Sequence, residues 1–178
     1  MREDETEEGI IVPNIRLRSQ PIQDFSEEAA EIMIKDMGFF DTEWNITGIG
    51  FPNQYELGEN GKVVYDHASG LMWEQSGSDN MPYDEIKYYI ETLRVQQFAG
   101  YSDWRLPTLE EAMSLIEPVQ NTRGRYIDSI FDQTQQWIWT SDMKPGFRAG
   151  IPWVVYFDVG ECNGVAIVRG GAFVRAVR

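Results

Sequence analysis

Short apolar runs crowd the last quarter of the chain: "WIWTSD", "PWVVYFDVG", "GVAIVRG" and "AFVRAVR", separated by glycine-rich turns. Each is strand-like in length and rich in β-branched and aromatic residues. Upstream, "KVVYDHASGLMWEQ" reads as two further strands around an "HASG" turn. Between these blocks lie two helical patterns. In "PYDEIKYYIETLRVQQFAG", Pro82 suits a first turn, and Ile86, Tyr89, Ile90 and Leu93 share one face. In "TLEEAMSLIEP", Thr108 and Glu111 form a capping box and Pro118 ends the helix. The order is hairpin, helix, helix, then four strands. Helices and strands are segregated, which predicts an α+β domain on a mainly antiparallel sheet. The last strand, apolar at Phe173, Ala176 and Val177, is expected to pair back onto that sheet.

The first third differs in grain. Residues 1–20 read as an acidic flexible tail. Residues 21–60 read as a helix followed by an irregular extension. The helix is predicted over about 25–37, opened by Asp24 three residues before Glu27 and closed at Gly38. Its apolar face is Ala30, Met33, Ile34 and Met37. The extension is pinned by Phe39, Phe40, Trp44 and Phe51. Residues 61–178 form the main domain.

Composition removes several function classes. The net charge is −14, so general binding to nucleic acid is disfavoured. The chain has one cysteine, Cys162, and one histidine, His67. A Cys/His zinc site or an internal disulfide therefore cannot be built within one chain. No apolar run approaches the roughly 20 residues of a membrane span, so membrane insertion is not expected. The start, "MREDETEEG", is unlike a secretory signal. Cytoplasmic residence and export with a removed leader both stay open.

"HASGLMWEQSG", "FAGYSDWRLPTLEEAMSLIE", "YIDSIFD", "IWTSD", "WVVYFDVGEC" and the closing "VRAVR" occur in an order that is identifiable. Over about residues 61–178 the chain resembles the C-terminal domain family of the bacterial collagen-like adhesin Lcl, long a domain of unknown function. The resemblance implies a C-type-lectin-like fold, two helices packed on the sheet, with an exported or cell-surface setting. The best-understood role in that family is adhesion to sulfated polysaccharides. This chain departs from the adhesin in lacking a collagen-like stalk and in its acidity; a polyanionic ligand is poorly matched to it.

The reading that follows is a non-catalytic binding module, with a carbohydrate or protein ligand engaged through loops between residues 119 and 172. An assembly domain making homo-oligomer or partner contacts is the alternative. A hydrolase is the third class and would need two carboxylates facing one cleft at about 5–10 Å. Candidate ligand residues are Asp103, Trp104 and Arg105 in "SDWRLPT", with Trp139, Trp153 and Arg169. Trp104 would stack on a sugar; Trp137 and Trp139, two apart on one strand, with Trp153 on the next, would share one face that is either core or an aromatic platform. Against this, Arg105 paired internally and Trp104 packed between the helices account for the same block as architecture. No cofactor is expected apart from a candidate calcium ion in "FDVGECNG", read as a turn, where Asp158, Glu161 and Asn163 offer hard oxygen donors.

Overall fold

The computed structural model describes residues 15–146, 150–164 and 171–178. They form an α+β arrangement with two three-stranded antiparallel sheets. In the first sheet, β1 (Tyr55–Leu57), β2 (Val63–Asp66) and β3 (Leu71–Glu74) lie in sequence order. In the second, β4 (Trp137–Lys144), β5 (Ile151–Tyr156) and β6 (Glu161–Gly164) do the same. Three α-helices accompany them: α1 (Glu27–Asp36), α2 (Ile86–Val95) and α3 (Leu109–Met113). The "HASG" hairpin forms as expected. Its turn is closed by Asp66, whose carboxylate accepts from the Ala68 and Ser69 amides, and by Gly70 at φ +75°, a conformation glycine adopts at little cost.

The β4–β5 sheet is buried on both faces. Side chains alternate along a strand, so Trp153 and Val155 enter one apolar cluster with Ile34, Phe39, Phe51 and Leu109. Val154 enters another with Trp104, Trp139, Ile90 and Leu93. The first sheet divides in the same way, with Val64 and Trp73 on one side and Val63 and Met72 on the other. Trp139 pairs across the ladder with Val154. Trp139 and Trp153 therefore point to opposite sides of the sheet and do not form one shared face.

The N-terminal extension is part of the main core. Phe25, Ala30, Ile34, Phe39, Phe40 and Phe51 all lie in the Trp153 cluster. Residues 15–20, assigned to the tail by charge, are held as well: Leu17 is buried and the Ile15 amide donates to the Ala68 carbonyl. The acidic run of residues 3–8 lies outside the described residues. Helix α1 starts two residues later than the sequence suggested. Its N-cap is Ser26, which accepts from the Ala29 amide, and Asp24 lies outside the helix. Glu27 and Glu28 then sit in the first turn, favourably placed against the helix dipole.

Two further differences concern the later elements. Helix α3 has both arms of the predicted capping box but ends at Met113. Beyond it the chain tightens, with Leu115 and Ile116 donating to the Ala112 and Met113 carbonyls. The Asn53 side chain takes the Ser114 carbonyl, a helix-end acceptor that needs a partner. Residues 161–164, expected as turn, are strand β6. "GVAIVRG" lies mostly at residues 165–170, outside the described ones. The closing segment 172–178 does pair back, through scattered bridges instead of one regular strand: Met81 with Ala172, Ile138 with Phe173, and Val177 with both Trp73 and Arg105.

Candidate functional site

The "SDWRLPT" block is mostly architecture. Arg105 grips the buried Glu111 through two bonds of 2.7 and 2.6 Å. The same carboxylate accepts from the Thr108 amide at 2.9 Å, which completes the cap. Trp104 has no exposed surface. It packs edge-on against Phe98 and donates its indole N–H to the Phe98 carbonyl. Trp139 and Trp153 are equally sealed, with indole N–H groups donated to Met81 and Phe25 carbonyls. None of the three rings presents a face to a ligand, which corrects the expectation of a tryptophan platform. Each indole is a core filler whose one donor is already satisfied. Asp103, exposed like Ser102 beside it, pairs with Arg178 at 2.7 Å. That hydrogen bond, and the charge behind it, lower the pKa of Asp103 from its ordinary value. Arg169 lies outside the described residues.

Of the three residues suggested for calcium, two have side chains already engaged. Asn163 turns its side-chain carbonyl to the Gly164 amide. Glu161 accepts from the Thr42 hydroxyl, and Asp158 belongs to the turn before β6. Among the described residues, no group of three or more His, Cys, Asp or Glu side chains is spaced to hold a metal ion. The Glu161 carboxyl is raised from its usual range by burial and by the neighbouring charges of Asp41, Glu43 and Asp158. Cys162 is buried, and burial followed by the Asp41 charge pushes its thiol well up. Such a thiol is neither accessible nor ionised, so it is a poor nucleophile. We expect Cys162 to resist a thiol-labelling reagent in the folded protein and to react fully in denaturant; rapid labelling of the folded form would contradict the burial.

A cleft of about 450 Å³ opens between β2 and the turn after α2, lined by Asn60, Lys62, Val63, Tyr65, Ala99 and Tyr101. That volume lies within the range of small-ligand sites. The two phenol oxygens are 3.5 Å apart. Tyr65 is raised from its ordinary pKa chiefly by its hydrogen bond with Tyr101. Arg178 lies 3.7 Å from the centre of the Tyr101 ring, on its way to Asp103. Lys62 sits above Phe98 at 6.0 Å. Among the described side chains that line the cleft, none is a carboxylate.

The backbone around the cleft is unusual. Among the described residues, the non-glycine residues with positive φ are Asn60, Gln97 and Ala99. Asn60 and Ala99 line the cleft, and Gln97 begins the turn that presents Tyr101. The left-handed region costs roughly 1–2 kcal/mol for a residue with a Cβ. Asparagine tolerates it best; glutamine and alanine do so poorly. The turn holds because its surroundings over-determine it. Gln97 donates to Arg94, Gly100 to Gln97 and Tyr101 to Phe98, while Arg94 donates to the Trp104 carbonyl at 2.6 Å. Clustered backbone strain of this kind recurs where a chain holds a binding surface ready.

Other hollows are less prepared. A more open groove of about 520 Å³ runs along α2, past Tyr83, Ile86, Ile90 and Leu106. Of its cations Lys87, Arg94 and Arg105, the two arginines already serve the Trp104 carbonyl and Glu111. A hollow of about 320 Å³ at residues 121–134 falls within the loops expected to bind, and includes Asn121, Arg123, Asp132 and Gln133. There Asn121 bridges Ile127 and Gln133, and Asp132 accepts from Thr134, so the polar groups mainly hold one another. The cleft itself was not legible in the sequence, since Tyr65 and Tyr101 are far apart along the chain.

No curated protein and no solved structure matches the chain. The family model described as the Lcl C-terminal domain matches residues 62–178, a span that holds β2 to the final segment and all of the cleft except Asn60. The chain therefore belongs to the Lcl C-terminal domain family.

Proposed function

We propose that the domain is a non-catalytic binding module, built on a C-type-lectin-like scaffold, whose ligand is a carbohydrate received in the Tyr65–Tyr101 cleft. The observation that carries this reading is the cleft: two half-exposed tyrosines, a lysine and an asparagine converge on a hollow edged by strained backbone. The disposition of the reactive groups supports the non-catalytic part. Asp66, Glu111 and Asp142 are buried and bonded to amides or arginine, Cys162 is sealed, and His67 is an exposed partner of Glu56.

A second reading, assembly with a partner or another copy, is favoured by one observation. Ile49 and Val119 are 85% and 75% exposed and flank the contact of Gly50 with Pro118. Titration of the full chain with a glycan panel, together with analysis of the recovered ligand and of the protein's mass in solution, separates these readings. Saturable binding with the ligand recovered intact and a monomeric protein is the expected result. Turnover abolished by changing one carboxylate would overturn it, as would concentration-dependent assembly without glycan binding.

A further inference from the structure

Resting on that reading, we infer that the cleft selects an uncharged pyranose and discriminates against sulfated glycans. The Tyr65 ring and the face of Tyr101 turned away from Arg178 are the apolar element. The C–H face of a pyranose packs on such a ring, because the electron-rich face meets weakly positive hydrogens. The two phenol hydroxyls, Asn60 and the Lys62 ammonium are the polar element, and they suit the hydroxyls of a neutral sugar as donors and acceptors.

The same site is badly furnished for sulfate. Recognition of a sulfated chain draws on several convergent cations, as recognition of other polyanions does. Among the described residues, the lining supplies one, Lys62. The neighbouring Arg178 is already spent on Asp103 and on the Tyr101 face. The surrounding protein carries a net charge of −14, which repels a polyanion at long range. A neutral sugar is indifferent to that field and gains from desolvation and stacking alone.

The test is a glycan array of neutral and sulfated oligosaccharides probed with the full chain at low and high salt. Titrations then follow with Tyr65→Ala, Tyr101→Ala, Tyr101→Phe and, as a distant exposed control, Tyr88→Ala. Thermal melts establish that each variant is folded. We expect retention on at least one neutral glycan, little changed by salt. We expect a loss of about tenfold in affinity for each cleft alanine, a smaller loss for Tyr101→Phe, which keeps the ring and removes one hydroxyl, and no change for Tyr88→Ala. Binding confined to sulfated glycans and lost at high salt would overturn the selectivity and leave the module's carbohydrate role standing. Neutral-glycan binding that survives both cleft alanines would remove the cleft from that role. Silence across the whole array would sink this inference and the carbohydrate reading together.

Discussion

Asp142→Ala should cost about 3–5 kcal/mol of unfolding free energy, because it strips four bonds from one fully buried carboxylate. Arg18 reaches both oxygens, at 2.9 and 2.7 Å. The Ile22 amide donates at 2.6 Å and the Leu109 amide, in the first turn of α3, at 2.7 Å. One side chain thus ties the entering segment, α3 and β4 together. Alanine leaves a half-buried arginine edge, the part-buried Ile22 amide and the buried Leu109 amide without this partner, each carrying a desolvation cost. The loss is read from urea unfolding curves. The same variant should also become cleavable between residues 15 and 25, because Ile22 and Phe25 add only two backbone bonds to Met143. A loss under about 1 kcal/mol would show that water replaces the carboxylate at little cost.

Arg175→Ala should be comparably damaging, again about 3–5 kcal/mol at neutral pH, and should carry a pH signature. Arg175 has no exposed surface. It donates to the carbonyls of Glu74, Gln75 and Asp132 and lies 4.8 Å from the centre of the Phe131 ring. Burial pulls its pKa down to about 10, so it remains charged at neutral pH. Its counter-charge is Glu74, which accepts from Tyr89 and from the Ala176 amide. Burial raises the Glu74 carboxyl, while those two bonds and the Arg175 charge hold it back.

Without Arg175, Glu74 should rise further. A raised carboxyl means that the folded protein holds the proton more tightly than the unfolded chain does. Its stability contribution is complete below the ordinary glutamate range and is lost as pH climbs through the raised value. The gap between Arg175→Ala and wild type should therefore be wider at about pH 8 than at about pH 5. Replacing both partners, as Arg175→Met with Glu74→Gln, should recover much of the loss. A gap independent of pH would mean that the void and the stranded carbonyls dominate, and that Glu74 is not coupled to the arginine.

Much of the fold was legible because local chemistry and the final packing agree. Thr108 and Glu111 announced a cap, and both of its bonds are present. The apolar face of Ala30 and Ile34 announced α1, and both residues are buried. The "HASG" turn announced a hairpin, and β2 pairs with β3 in register. What was missed depends on partners distant in sequence. Glu161–Gly164 looked like turn because of Gly160 and Asn163, yet the exposed ladder of β5 recruits it as a strand. The tryptophans could be core or platform in the sequence because strand alternation says which side a ring takes, not whether that side faces water. A sheet covered on both sides defeats that inference.

The candidate site was harder still to read. Asp103 keeps its place at the edge of the cleft, but through Arg178 and Tyr101, which no local pattern connects to it. Gln97 and Ala99 give no sign in sequence of their left-handed backbone.

The closing segment also bears on how the chain comes to be folded. Residues 172–178 bond to Met81, to Trp137 and Trp139 of one sheet, to Met72 and Glu74 of the other, and to Arg105. These partners are all much earlier in the chain, so the segment adds contacts of long sequence separation, which slow folding. During synthesis both sheets would have to wait, with part of the Trp104–Trp139 cluster uncovered, until Ala172 to Val177 emerge. The domain should therefore acquire its native state late and cooperatively, and the half-made chain is the stage at which it is most exposed to aggregation.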